Sequence, residues 1–272
     1  MNILLTGAQG FLGTRIAQAM PVTAAPSLRD ATLDDVKRLM DRVQPDVVMH
    51  TAAISDIGAC EKNLEASWQA NVLLPEYLAR AGKGVKLLML STDQVYSGCE
   101  GPGPYAEDDV CPANLYARHK LEMEHRVLDI CPEAVLLRAT WMYDMPVCGA
   151  KNRGNFLMNV LRAAMAGQSI AFSREQMRGI TWAREAAEKM REAVSLPGGV
   201  YNFGSGADRN VYDTAAYLAQ QAGLKLLLED APARHNLWMD DGKLREQGIA
   251  FRPTAEGLTA CLQAYGLENP SL

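Results

Sequence analysis

The chain has 272 residues, 48% apolar and 22% charged, which suits one large globular domain, or one with a smaller appendage. Its net charge of −5 argues against a nucleic-acid binder, and no apolar run reaches the roughly 18–20 residues of a membrane span. Met1 leads directly into a strand-like segment with no basic leader, and six scattered cysteines (Cys60, Cys99, Cys111, Cys131, Cys148, Cys261) form no CxxC pair or zinc-type spacing; a cytoplasmic protein with reduced thiols and no metal is expected.

Residues 2–6 are a short apolar run and a predicted strand, followed by a helix over residues 11–20. Between them stands Thr6-Gly7-Ala8-Gln9-Gly10-Phe11-Leu12-Gly13. In a strand–turn–helix context such glycines have separate tasks. Gly7 makes the tight turn, Gly10 lets backbone approach a pyrophosphate, and Gly13 lets helix and strand pack closely. The helix N-terminus then offers free N–H groups to phosphate. Gly7, Gln9, Gly10, Phe11 and Leu12 are therefore candidate cofactor contacts.

A weak strand signal over residues 22–25 would complete the first mononucleotide-binding half. Dinucleotide folds usually carry a carboxylate near its end to hold the adenosine ribose. Here Ala24-Ala25-Pro26-Ser27-Leu28-Arg29 has none before Asp30. Ser27 and Arg29 are candidates for a 2′-phosphate, which leans toward NADP(H) over NAD(H); a solvated Arg29 is the competing reading.

An amphipathic helix over residues 33–43 precedes a strand over 46–50, and a long helix over 64–81 precedes a strand over 86–90. A helix over 115–129 precedes a strand over 134–138. These strands are continuous apolar runs, as strands covered on both faces should be. Alternation of this kind predicts an α/β fold: a doubly wound parallel sheet, or Rossmann fold. Residues 1–142 form the expected NAD(P)-binding domain. Residues 143–272 form a smaller, mainly substrate-binding C-terminal lobe, from which segments such as 200–222 return to the sheet.

Ser91-Thr92-Asp93 closes the strand at residue 90, and the carboxyl ends of such strands are where ligands bind. Tyr116-Ala117-Arg118-His119-Lys120 sets a phenol and an ammonium at i and i+4, on one helix face. Hydride transfer to a carbonyl leaves negative charge on oxygen, so a nearby acid must deliver a proton. A lysine cation beside the phenol would lower its pKa and could also hold the nicotinamide ribose. The Thr92 hydroxyl would polarise the carbonyl. Thr92, Tyr116 and Lys120 are the candidate catalytic residues.

With these residues in view, the chain resembles an extended short-chain dehydrogenase/reductase, and within that group the dTDP-4-dehydrorhamnose reductase (RmlD-like) branch. The resemblance rests on the glycine turn, His50-Thr51-Ala52-Ala53, Asn71 and Ser91-Thr92-Asp93-Gln94-Val95-Tyr96-Ser97-Gly98. It continues through Pro104-Tyr105-Ala106-Glu107-Asp108-Asp109, Tyr116 to Lys120, Leu137-Arg138-Ala139-Thr140-Trp141-Met142-Tyr143 and, weakly, Arg234-His235-Asn236-Leu237. It implies a Thr92–Tyr116–Lys120 triad, adenine contact at Asp30-Ala31, cofactor contact at Ala52, Ala53 and Asn71, and sugar contact at Asp93, Gln94 and Trp141. Arg138 is implied to be structural. The chain departs from the branch at Ala117, His119, and the lobe segment Glu175-Gln176-Met177-Arg178-Gly179-Ile180-Thr181.

Arg174, Arg178, Arg184 and Arg234 are candidates for a diphosphate clamp or for solvated surface. His50 reads best as a packed core histidine, and the methionine-rich helix over residues 156–165 as lobe packing. The expected partner is a small-molecule keto-sugar, free or nucleotide-linked, with no nucleic acid or membrane partner and a homodimer as the assembly. Two alternatives stand beside it: the same chemistry on another small keto or hydroxy compound, and a non-catalytic NADP-binding regulatory subunit.

Overall fold

The computed structural model describes residues 1–147, 154–232 and 235–269. Cys148 and Arg234, singled out above, lie outside the described residues. The nucleotide half begins with β1 (Ile3–Thr6), α1 (Phe11–Ala19), β2 (Thr23–Ala24), α2 (Leu33–Val43) and β3 (Val47–His50). It continues with α3 (Ile57–Lys62), α4 (Leu64–Trp68), α5 (Leu74–Ala81), β4 (Lys86–Thr92), α6 (Leu115–Ile130) and β5 (Val135–Ala139). Then come β6 (Trp141–Tyr143), α7 (Phe156–Ala166), β7 (Ser169–Phe172), β8 (Ile180–Trp182), α8 (Ala183–Glu192) and β9 (Gly199–Phe203). The chain closes with α9 (Val211–Gln221), β10 (Leu227–Asp230), α10 (Gly242–Glu246) and α11 (Thr254–Ala264).

Six parallel strands form the main sheet in the order β2-β1-β3-β4-β5-β9. Successive residues of each strand enter opposite cores, as a period of two requires. Ile3, Leu5, Val47, Met49, Val135 and Leu137 pack on one side with Leu12 and Ile16 of α1 and Ala183, Ala186, Ala187 and Met190 of α8. Leu4, Val48, Leu87, Met89 and Leu136 pack on the other with α2, α5 and α6. Each fully buried aliphatic side chain contributes about 1.5–3 kcal/mol of transfer free energy. Local signals set the helix ends: Thr32 and Asp35 form a reciprocal capping box on α2, and Asn114 caps α6 through its side chain.

The division at residue 142 differs from the sequence expectation. The small residues of α8 let it lie against α1, and β9 then pairs with β5, so residues 183–203 belong to the sheet. Helix α9 instead buries Val211, Ala215 and Leu218 in the lobe core with Phe156, Val160, Trp182 and Leu258. Within residues 200–222, β9 thus lies in the main sheet and α9 in the lobe core. The long helix over 64–81 is interrupted by a π-helical turn, Gln69–Leu73, which matters below.

From β1 the chain steps outward to β2, then crosses back to β3 on the other side. The crevice beyond the carboxyl ends of β1, β3 and β4 is therefore the switch point where such sheets take ligands.

Candidate active site

The glycine turn is a close-packed backbone object. Gly7 has φ +71°, and a Cβ there would fall 2.7 Å from the Ala52 amide nitrogen. A Cβ on Gly13 would fall 2.0 Å from the Gly7 carbonyl oxygen, so no side chain fits. The Gly10 amide donates to the Gly7 carbonyl at 2.8 Å, and Thr51 Oγ1 donates to the Thr6 carbonyl at 2.8 Å. The loop carrying Ala52 and Ala53 is thereby drawn over the turn. Helix α1 has no acidic residue in its first turn and no side-chain cap on Gly10. Its first N–H groups, those of Phe11 and Leu12 beside exposed Gln9, are open to an anion. This cradle fits a dinucleotide pyrophosphate.

Ser27, Arg29 and Asp30 are exposed beyond β2 and border a groove of about 630 Å³. Arg38 and Arg42, at i and i+4 on α2, line the same groove, and no sequence motif marks them. Arg38 also pairs with Asp35 at 2.6 Å.

Asn71 requires a correction. Its side chain is fully buried, in the π-helical turn. Its amide accepts from the Ile54 N–H at 3.1 Å and donates to the Ile54 carbonyl at 2.9 Å and to Ser67 Oγ at 3.2 Å. The residue holds the loop behind Ala52 and Ala53 rather than touching a cofactor. The wider π turn is what brings it into register with Ile54.

Thr92 ends β4, and its hydroxyl accepts from the Gln94 N–H at 3.2 Å, capping a 3₁₀ turn over Asp93–Tyr96. Tyr116, Lys120 and Glu124 follow at i, i+4 and i+8 on one face of α6, all buried. Glu124 fixes that face. It takes Arg138 Nε at 3.0 Å and Nη2 at 2.6 Å, and also accepts from Ser91 Oγ. Arg138 continues to the Tyr96 hydroxyl at 2.8 Å, which donates to Asn202 on β9 at 2.7 Å. This buried network ties α6 to β4, β5 and β9, and so sets where Tyr116 and Lys120 point.

The electrostatics differ from the expectation that Lys120 lowers the phenol's pKa. Burial pushes the Tyr116 phenol above its ordinary value, against a hydrogen bond with Thr92; the charges of Asp93 and Cys60 push the same way. The phenol therefore stays protonated at neutral pH, the form a proton donor needs. Burial lowers Lys120 to about 8, with Glu124 opposing. It remains mostly cationic at neutral pH. His50 is buried, shares a 2.7 Å hydrogen bond with Thr6 Oγ1, and is held neutral by burial, at about 3.

Asp93 is buried against Arg178, while Gln94 Oε1 accepts from Asn114 Nδ2 at 3.2 Å. Trp141 is half-buried on β6, edge-on to Phe156. The structure therefore gathers Thr92, Asp93, Tyr116, Trp141 and Arg178 around one strand end. It does not gather the proposed arginine clamp. Arg174 stacks on Tyr212 and faces Asp213 and Asp230 on the lobe surface, and Arg184 lies over Trp182.

Residues 1–235 match the model of the RmlD substrate binding domain family. The dTDP-4-dehydrorhamnose reductase of Burkholderia thailandensis is 32% identical over 75% of this chain and 73% of its own. The enzyme of the same name from Aggregatibacter actinomycetemcomitans is 27% identical, covering 98% of this chain and 94% of its own. Among solved structures, dTDP-4-dehydrorhamnose reductase from Bacillus anthracis, in complex with NADP, superposes with a TM-score of 0.85 at 20% identity over 97% of this chain and 99% of that one. This last likeness establishes the shared Rossmann fold.

Proposed function

We propose, for a chain that belongs to the RmlD substrate binding domain family, that it is a cytoplasmic NAD(P)H-dependent reductase of a keto group on a nucleotide-linked deoxysugar. One observation carries the reading: a buried phenol, Tyr116, on the same helix face as the buried Lys120 and set against Thr92 at the end of β4, in a sheet whose first strand opens into a glycine cradle fit for pyrophosphate.

The glycine cradle would hold the pyrophosphate of a dinucleotide whose dihydronicotinamide would supply the hydride. The chain's own residues do the rest. Thr92 Oγ1 donates to the carbonyl oxygen and sets its direction. Tyr116 gives its proton to that oxygen as charge develops, so the carbonyl ends as an alcohol and the phenol as a phenolate. Lys120, cationic one turn away, is placed to hold the nicotinamide ribose. The Arg138–Glu124 pair keeps α6 in register for both. Ser27 and Arg29, with Arg38 and Arg42 on the same groove, favour NADP(H) through its 2′-phosphate.

The test is NADPH oxidation with a dTDP-linked 4-keto-6-deoxyhexose, comparing wild type with Tyr116→Phe. Loss of the proton donor should lower kcat by about 10²–10⁴-fold with cofactor affinity retained. A panel of keto-sugars giving no Tyr116-dependent turnover would sink the reading.

A further inference from the structure

Arg178 comes from the segment between β7 and β8, 85 residues from Asp93, yet it closes the floor of the site. Its Nε donates to Asp93 Oδ2 at 2.9 Å, and its Nη2 pairs with the same oxygen at 2.8 Å. Its guanidinium lies over the Trp141 ring, 5.2 Å from the centroid. The backbone there is clamped. Met177 bridges Asn210, and Arg178 bridges Leu237. At the next residue, Gly179, a Cβ would fall 1.8 Å from the Ser205 carbonyl oxygen. Arg178 is thus a fixed group with 15% of its side chain exposed, unlike the solvated Arg174 at 51%.

Asp93 is one hydrogen bond from the chemistry, since its Oδ1 accepts from Thr92 Oγ1 at 3.4 Å. A carboxylate this buried is costly without a partner. Burial pushes its pKa up, and Arg178, with His235, acts against that. The pair leaves unused groups. Asp93 Oδ1 has further acceptor capacity, and Arg178 Nη1 makes no hydrogen bond among the described residues. Arg178 also adjoins the half-buried Trp141 indole. An acceptor, a planar donor and an aromatic face together suit a ring with adjacent hydroxyls and an apolar C–H side. A simple ketone offers nothing to the first two.

We propose that Arg178 is a specificity-determining residue of this site: it fixes Asp93 beside Thr92, and the two together read the hydroxyls flanking the keto group of a sugar ring. The inference rests on the keto-sugar reading above and names what in the substrate is recognised. It also explains the departure at residues 175–181. The segment builds this pair and leaves phosphate to other groups.

Steady-state kinetics with the dTDP-linked 4-keto-6-deoxyhexose test it, using Arg178→Met, Arg178→Lys and the double variant Asp93→Asn with Arg178→Met. The double variant removes the carboxylate that Arg178→Met would strand, which guards against a mere folding defect. Both methionine variants should lose about 10- to 100-fold in kcat/KM for the sugar, mainly through KM. Their KM for NADPH should stay within about twofold of wild type. Lysine restores charge without the planar fork and should recover only part. A folded double variant with wild-type kcat/KM for the sugar overturns this inference and leaves the reductase reading intact. A wild type that reduces hydroxyl-free ketones but no keto-sugar overturns both.

Discussion

In the proposed reading, the glycine cradle and the floor formed by Asp93, Trp141 and Arg178 hold their ligands by opposite means. The cradle is made of backbone. Gly7 and Gly13 matter because nothing larger fits, a Cβ on Gly10 would crowd the Gly7 carbonyl at 3.0 Å, and their partners (Thr6, Thr51, Ala52) contribute mostly main-chain atoms. The floor is made of side chains. Asp93, Trp141 and Arg178 come from three elements and are held by a buried ion pair and an indole. A backbone site tolerates almost no variation and binds a ligand of fixed shape. A side-chain site can be rebuilt by exchanging one loop, which is how a constant reaction acquires different substrates.

The sharpest break of this contrast is a single methyl group. Gly13→Ala places a Cβ 2.0 Å from the Gly7 carbonyl oxygen, so backbone must move. A displacement of the turn by an ångström should weaken NADPH binding by roughly 100-fold. Gly206, in the loop after β9, has nothing within 4 Å of its would-be Cβ, and Gly206→Ala should leave cofactor affinity unchanged. Fluorescence titration with NADPH distinguishes the two. Equal affinities would mean that the cradle is more compliant than its packing implies.

The same contrast explains what was legible beforehand. The cradle lies within one strand–turn–helix unit, so residue spacing alone carried it. Thr92, Tyr116 and Lys120 were readable for a similar reason: each sits at a strand end or on one helix turn. Arg178 stood out only as a candidate phosphate ligand; its pairing with Asp93, 85 residues away, is marked by no local pattern. Asn71 was misassigned, since its amide is turned to Ile54, 17 residues back, by a π turn that helical periodicity does not reveal. The alternation of strands and helices gave the sheet, while the sorting of α8, β9 and α9 depended on which partner each apolar face met.

A seam joins the two regions, and it too escaped the sequence. Arg15 on α1 donates to the buried Asp144 at 3.0 Å, 129 residues on. Asp144 Oδ1 also accepts from Trp182 Nε1 at 3.1 Å and from the Tyr265 hydroxyl at 2.9 Å. One carboxylate thereby connects the cofactor helix, the lobe and the end of the chain. Asp144→Ala would strand a buried guanidinium, at a cost of about 3–5 kcal/mol and a fall in Tm on the order of 10 °C. Thermal unfolding measures this directly. A Tm within a degree or two of wild type would show that cradle and lobe are held together elsewhere.

The smallest expected effect refines the comparison rather than breaking it. Lys120 stands between the two regions, facing the cofactor site from the helix that bears Tyr116. Burial has lowered its pKa to about 8 from 10.5, with Glu124 opposing the shift. For a base with a depressed pKa, the cationic form is present below that value and is lost as pH rises through it. If the cation is the form that holds the ribose, kcat/KM for NADPH, which reports the free enzyme, should fall by about half near pH 8 and roughly tenfold per unit beyond it. The groups facing Lys120 include neutral His50, which does not titrate across this range, so the alkaline limb belongs to the lysine. Lys120→Arg should move that limb beyond the accessible range while keeping a positive charge. A limb that persists unchanged in this variant would transfer the titration to another group and leave Lys120 a purely structural neighbour of Tyr116.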